Sequence, residues 1–205
     1  MQAALILDPT VEGRIEDDFY ETPAWCVEGL LRQTQWHVGG SVVFDPSAGR
    51  GAILNAARSL GARVGIGIEL DPGRAATAGE AGHFMRCEDA LPAIWGDADY
   101  GVGNPPFSLA LEFAERAAQW SRDYGRPFAL LLRLGFMASR GRSAFHRTYP
   151  SHLFPLAKRP AFRTDRKGTD KYDVGWFVWM PDGSSSWAPI PHPDDWAGWG
   201  REVRT

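Results

Sequence analysis

The sequence predicts an α/β fold built on a mostly parallel, seven-stranded sheet with helices on both faces and an antiparallel late strand. Three observations support this. Short β-rich runs alternate with helix-spaced apolar segments, the pattern of strands joined by crossover helices. The run Phe128 to Leu134 is continuously apolar but for Arg133, as a strand buried on both faces requires. The last two β-rich runs are separated only by a polar stretch, which suits an antiparallel pair. With 205 residues and 44% hydrophobic content, the chain can bury one substantial core but is too short for two linked domains, so residues 1–205 are read as one unit.

In chain order, Ser41 to Pro46 reads as the first strand. Gly51 to Gly61 brackets a helix, because Ile53, Leu54, Ala56, Ala57 and Leu60 fall on one face. Val64 to Leu70 is the second strand. Asp71 and Pro72 then open a helix as N-cap and first helical residue. His83 to Cys87 and Tyr100 to Gly103 are strands three and four, Leu109 to Trp120 a helix, and Phe128 to Leu134 the fifth strand. Arg140 to Thr148 is expected to be helical. His152 to Ala157 and Val174 to Met180 complete the sheet, with Trp176 and Trp179 buried in or across it. The tail 181–205 is rich in Pro, Gly, Ser and Asp, and Trp187, Trp196 and Trp199 are expected to anchor it.

Composition excludes several classes. No run approaches the roughly 20 apolar residues of a membrane span, and Ala3 to Leu7 is too short for a secretory leader, so a cytoplasmic protein is expected. Cys26 and Cys87 are far apart, without CxxC or Cys/His spacing, and read as core thiols; no metal site is expected. His83, His146, His152 and His192 lack metal-ligand spacing and read as surface or hydrogen-bonded groups. The net charge of -3 disfavours a polyanionic partner on average, but the average hides an asymmetry. Between Arg133 and Lys171, ten basic residues face only Asp165 and Asp170, a local +8 that leaves -11 elsewhere. An acidic body with one basic lobe suits a nucleic-acid-binding enzyme, with Arg133, Arg140, Arg142, Arg163, Arg166, Lys167 and Lys171 as candidate phosphate contacts. Arg133, inside an otherwise apolar strand, needs a partner at the strand end, and a phosphate or a carboxylate is the candidate.

A ligand site is also legible. Asp45 to Gly51, DPSAGRG, follows a strand and opens a helix, where glycines let the backbone approach a ligand. Glu69 ends the next strand at about the spacing at which a carboxylate meets a nucleotide ribose. Asp89 closes the third, where a short acceptor can take a hydrogen bond from an adenine amine. The loop begins with Asp-Pro and lacks the third glycine of GxGxxG, so it departs from the dinucleotide fingerprint. Asn104, Pro105, Pro106 and Phe107 end the fourth strand, beside the topological switch point.

The successive motifs DPSAGRG, GIELDP, RCEDAL and NPPF, preceded by DFYETP, resemble those of Rossmann-like S-adenosylmethionine-dependent DNA adenine methyltransferases. Likeness extends from about Asp18 to Pro181, and is strongest to compact phage and prophage members through DFYETP, NPPF, LLRLGF and GWFVW. The resemblance implies methyl transfer to the N6 amine of an adenine flipped out of double-stranded DNA. It implies cofactor contacts from Tyr20, Thr22, Pro23, Asp45, Pro46, Ala48, Gly49, Gly51, Glu69, Leu70, Asp89, Ala90 and Asn104, with Thr22 and Pro23 near the methionine end.

The tetrad's chemistry follows from the substrate. Adenine's exocyclic nitrogen is a poor nucleophile because its lone pair is delocalised; acceptors at the Asn104 side chain and the Pro105 carbonyl would aim that pair at the methyl group. Proline stiffens the segment, and Phe107 would stack on the flipped base. RNA adenine, a protein glutamine amide, or a non-catalytic nucleic-acid scaffold are the alternatives; glutamine enzymes usually carry tyrosine at the Phe107 position. Only residues 159–173 and the tail could serve as a target-recognition region, so a short or relaxed target is expected.

Overall fold

A computed structural model describes residues 20–162 and 172–197. Seven strands form one sheet in the order β3-β2-β1-β4-β5-β7-β6, comprising β1 (Val42–Asp45), β2 (Val64–Glu69), β3 (Phe84–Cys87), β4 (Tyr100–Gly103), β5 (Phe128–Arg133), β6 (His152–Pro155) and β7 (Val174–Trp179). Strands β1 to β5 are mutually parallel, while β7 runs antiparallel to both β5 and β6. The order reverses between β1 and β4, which opens a crevice at their carboxyl ends.

Strand alternation divides the core into two layers. Leu131, Trp176 and Val178 point to the face covered by α1 (Ala24–Thr34) and α2 (Ala52–Ser59). Leu130, Leu132, Phe177 and Trp179 point to the face covered by α4 (Ala110–Tyr124) and α5 (Ser143–Thr148). Truncating fully buried Leu131 to alanine should cost about 2–5 kcal/mol. The remaining helix, α3 (Pro72–Glu80), is capped as its sequence predicts: the Asp71 carboxylate accepts from the Arg74 amide at 2.7 Å.

Helix α1 was not among the sequence expectations. Its apolar stripe, Cys26, Val27, Leu30 and Leu31, is short and interrupted by Gly29 and Glu28. The glycine permits a close approach: a Cβ there would lie 2.9 Å from Ile190 Cγ2 of the tail. Trp176 Nε1 donates to the Cys26 carbonyl at 2.9 Å and ties the helix to the sheet. The helical expectation for Arg140 to Thr148 holds in two pieces, a 3-10 turn over Arg140–Arg142 and then α5.

Two packing expectations are corrected. Cys26 is a core thiol, but Cys87 is exposed because it lies on β3, the edge strand of the sheet. The Trp187 side chain is 67% exposed, although its backbone bridges Leu153; the side chain that holds the tail is fully buried Ile190, whose amide donates to Pro155 O and whose carbonyl accepts from Ala157 N. Trp196 does anchor, donating to Pro191 O at 3.2 Å under the Arg32 guanidinium; Trp199 lies outside the described residues. The histidines are hydrogen-bonded, His83 to Asn55, His146 to Phe136 O, His152 to Ser184 and Ser186, and His192 to Asp194 N. Among the described residues no helix is long and apolar enough to cross a membrane, and no cluster of metal-ligating side chains occurs.

Candidate active site

A cavity of about 710 Å³ occupies the crevice at the carboxyl ends of β1, β2, β3 and β4. From β1 and its loop come Asp45, Pro46, Ala48 and Gly49; from β2, Glu69 and Leu70; from the segment after β3, Asp89 and Ala90; from the tetrad, Asn104 and Pro106; and from the N-terminal motif, Tyr20 and Thr22. Of the expected site residues, Pro23, Gly51, Pro105 and Phe107 do not line it. Gly51 supports the wall instead. Its φ of 85° suits glycine, and a Cβ there would press on His83 and Ala78.

The loop is drawn tight by Glu69. Its Oε2 accepts from Gly49 N at 2.8 Å and its Oε1 from Asp71 N at 2.9 Å, so one carboxylate clamps the glycine loop to the start of α3. Two bonds leave further lone pairs on the same oxygens, enough for a ribose diol. Ala48 N donates to Ile68 O at 3.0 Å, and Gly49 adopts φ 54°, which lays the backbone open toward the cavity.

Asp45 is 1% exposed. Its Oδ1 accepts from Ser47 N at 2.9 Å and Ser47 Oγ at 3.2 Å, but among the described residues its buried Oδ2 has no partner. Burial pushes the carboxyl up from 3.8 to about 7; the Ser47 bonds oppose this, and the Glu69 charge adds to it. A cation brought beside this buried, half-satisfied carboxyl group would stabilise its charged form.

Asp89 accepts from Leu91 N at 2.9 Å in a tight turn. That turn is pinned by Arg116 of α4, a residue the sequence did not single out: its guanidinium donates to the carbonyls of Ala90, Leu91 and Ala93 and lies over the Trp95 ring. Arg74, Glu88, Ser108, Leu109 and Phe113 also line the cavity without having been expected. Their signal is only their nearness to the motif residues: Glu88 and Ser108 are adjacent to Asp89 and Phe107, and Arg74, Leu109 and Phe113 follow within about a turn or two.

Asn104 joins the cavity to the N-terminal motif. Its amide nitrogen donates to Tyr20 O at 3.1 Å and Thr22 Oγ1 at 3.0 Å, which fixes the side chain's orientation and leaves the amide oxygen as an acceptor. Arg50 of the glycine loop meets Glu21 at 3.4 Å, so residues 20–22 bridge tetrad and loop.

Phe107 opens a 3-10 turn and faces away from the cavity into a cluster of rings. It stacks on Tyr20 at 5.9 Å between centroids, and Tyr20 contacts Phe162 at 5.6 Å. The Arg133 guanidinium lies 4.6 Å from the Phe107 centroid and 3.7 Å from that of Tyr172. Arg133 therefore finds aromatic faces rather than a carboxylate, and among the described residues its buried Nε has no hydrogen-bond acceptor. Arg142 also departs from expectation: it donates to Phe136 O at 2.7 Å and Gly135 O at 2.9 Å, so its guanidinium holds a turn together. Arg140 is exposed, while Arg163, Arg166, Lys167 and Lys171 lie outside the described residues.

The fold is that of the Rossmann-like, class I methyltransferases, the fold that serves S-adenosylmethionine. No protein-family model matches the chain, and no curated protein matches it. Among solved structures it is similar to a proposed class I S-adenosylmethionine-dependent methyltransferase of Listeria monocytogenes, at 11% identity and TM-score 0.66, covering 91% of this chain and 70% of that one. It is similar to a proposed RNA methyltransferase of Pyrococcus horikoshii, at 20% identity and TM-score 0.63, over 78% of this chain and 85% of that one. The modification subunit of a proposed type I restriction enzyme of Vibrio vulnificus shares 16% identity and TM-score 0.62, over 86% of this chain and 48% of that subunit. S-adenosylmethionine fits the cavity on the structure's own terms. The orphan oxygen of Asp45 suits its ammonium group, Glu69 retains acceptors for its ribose, and the volume lies within the range of cofactor pockets.

Proposed function

We propose that this chain is an S-adenosylmethionine-dependent methyltransferase acting on the N6 amine of adenine in DNA. The observation that carries the reading is the orientation of Asn104. Because Tyr20 O and Thr22 Oγ1 occupy its amide nitrogen, the side chain offers an oxygen, the group needed to hold an N–H of a delocalised amine. The Pro105 carbonyl supplies the second acceptor of the tetrad. As the nitrogen forms its new bond to carbon it gains positive charge, and both acceptors strengthen without having to reorient.

When bound, S-adenosylmethionine supplies an electrophilic methyl group on a sulfonium. Asp45, Glu69 and Asp89 would hold its ammonium, ribose and adenine ends, and Gly49 would let the backbone close on it. Asn104 and Pro105 would position the nucleophile, and the amine proton would leave to water after transfer. Phe107 would receive the base after extrusion from the duplex, and the exposed arginine Arg140, with Arg163, Arg166, Lys167 and Lys171, would neutralise phosphates.

The Vibrio neighbour, a modification subunit, supports a DNA substrate; the Pyrococcus neighbour, described as acting on RNA, supports RNA adenine as the second reading. Methyl transfer from labelled cofactor to DNA, RNA and protein in parallel, followed by nucleoside analysis, tests both. N6-methyladenine in DNA is the expected product. Label confined to RNA establishes the second reading, and label confined to glutamine removes both.

A further inference from the structure

On the reading that adenine is the target, we propose that Arg133 is a specificity-determining residue whose Nε–H engages an acceptor of the extruded target nucleotide once its base reaches Phe107.

Three neighbouring strand ends build this subsite. Leu130 of β5 pairs with Gly103 of β4, so Arg133 at the end of β5 lies alongside the tetrad that follows Gly103. Arg133 in turn pairs with Val174 of β7, which brings Tyr172 to its other side. The result is a planar cation laid against two rings, beside the residues that would present the reacting amine. Stacking satisfies the face of a guanidinium but none of its N–H donors. Among the described residues its buried Nε has no acceptor, although buried donors in folded proteins are nearly always paired. A donor kept dry and unpaired at a binding site gains most when the ligand brings the missing acceptor, and discriminates against ligands that lack it. A nucleotide whose amine is held by Asn104 and whose base meets Phe107 carries two kinds of acceptor, the ring nitrogens of adenine and its own phosphate oxygens. Arg142, by contrast, donates to Phe136 O and Gly135 O, so this neighbouring arginine does not share the unpaired donor of Arg133.

Arg133→Met tests the proposal, since it keeps the stem against both rings and removes the donor and the charge. On a duplex with one target adenine, kcat/KM should fall roughly 10- to 100-fold, the effect of losing one charged hydrogen bond. Cofactor affinity by calorimetry should be unchanged, and Tm unchanged or higher, because a buried donor without an acceptor has been replaced by an apolar group. A purely structural Arg133 gives the opposite pattern, a lower Tm with activity following the folded fraction. The source of the acceptor is read from substrates carrying 1-deazaadenine or 7-deazaadenine at the target, or a methylphosphonate beside it. The parent enzyme should lose activity on one of these, and Arg133→Met should be indifferent to that same change; the deaza arms report a base contact and the methylphosphonate arm a phosphate contact. If Arg133→Met fails to fold, Arg133→Lys, which retains charge but lacks Nε, should show the same lost discrimination. Parental kcat/KM in the variant, or equal losses of parent and variant on every modified substrate, overturns the proposal. A parent enzyme that forms no N6-methyladenine on the unmodified duplex removes the underlying reading as well, so the two failures are distinguishable.

Discussion

Replacing Asp45 by asparagine separates the electrostatic role of the glycine loop from its shape. Burial raises this carboxyl from 3.8 to about 7, roughly three pH units, which corresponds to a ceiling of about 4 kcal/mol between its protonation states. Below pH 4 the folded and unfolded chains both hold the proton, and the group contributes no pH dependence. From pH 4 to 7 the unfolded chain has released it while the folded chain retains it, so the cofactor-free protein should lose stability as pH rises. Above pH 7 both forms are ionised and the loss is constant. Urea midpoints at pH 5 and pH 8 should therefore differ in the parent beyond the difference seen in Asp45→Asn. Cofactor binding should run the other way. A cationic ammonium beside Oδ2 favours the carboxylate, so binding near pH 6 should release a proton, and affinity should rise by up to about tenfold per unit between pH 5.5 and 7. Calorimetry in two buffers of different ionisation enthalpy measures that proton directly. Flat affinity across this range, with no proton released, would refute the assignment of Asp45 to the cation.

Other substitutions probe the remaining parts of the site. Glu69→Ala should weaken cofactor binding by about 1–3 kcal/mol, and should also lower Tm because the Gly49 and Asp71 amides lose their acceptor; unchanged affinity by calorimetry removes Glu69 from the site. Asn104→Ala should leave cofactor affinity nearly intact while lowering turnover by about 100-fold or more, and full methylation by that variant would end the tetrad assignment. Thr22→Val, nearly isosteric, should release one of the two restraints on the Asn104 amide and reduce turnover with Thr22→Ser restoring it; a value equal to the parent means the hydroxyl orients nothing. Neutralising Arg163, Arg166 and Lys167 together should flatten the salt dependence of DNA binding by up to about three units of slope, whereas equal slopes place the phosphates elsewhere.

The sheet was legible because parallel strands buried on both faces leave an unmixed apolar signal, and because each crossover turn carried its own punctuation. DPSAGRG and LDP marked their strand ends so clearly that β1, β2 and α3 fall within a residue or two of expectation. Helix α1 escaped because its buried stripe is short and its glycine belongs to a contact with Ile190, some 160 positions away in the chain. The tail was misjudged for a related reason. Tryptophan's bulk suggested an anchor, but anchoring by a side chain depends on what lies opposite: the backbone of the tail bridges the β6 edge at both Trp187 and Ile190, yet only the Ile190 side chain finds the core. Arg116 and Arg133 show the same limit around the site, since an arginine on a helix or strand end does not announce in sequence whether it will meet carbonyls or rings.

On the proposed function, the segment Tyr20 to Thr22 would link the cofactor and target sites. It lines the cavity, yet its carbonyl and hydroxyl groups set the Asn104 amide, its Tyr20 ring lies on Phe107, and its Glu21 reaches Arg50 in the glycine loop. An acceptor aimed by residues that also wall the cofactor pocket is sensitive to whatever settles those residues. The exposed Glu21–Arg50 pair contributes little by itself, of the order of 0–1 kcal/mol, so the coupling has to reside mainly in the Asn104 hydrogen bonds. Ordering of residues 20–22 by the cofactor would then prepare the tetrad for the amine. Through Tyr20 and Phe107 the same ordering would reach the ring against which Arg133 lies, so a single short strand of chain would relay cofactor occupancy to both the reacting atom and the base that carries it.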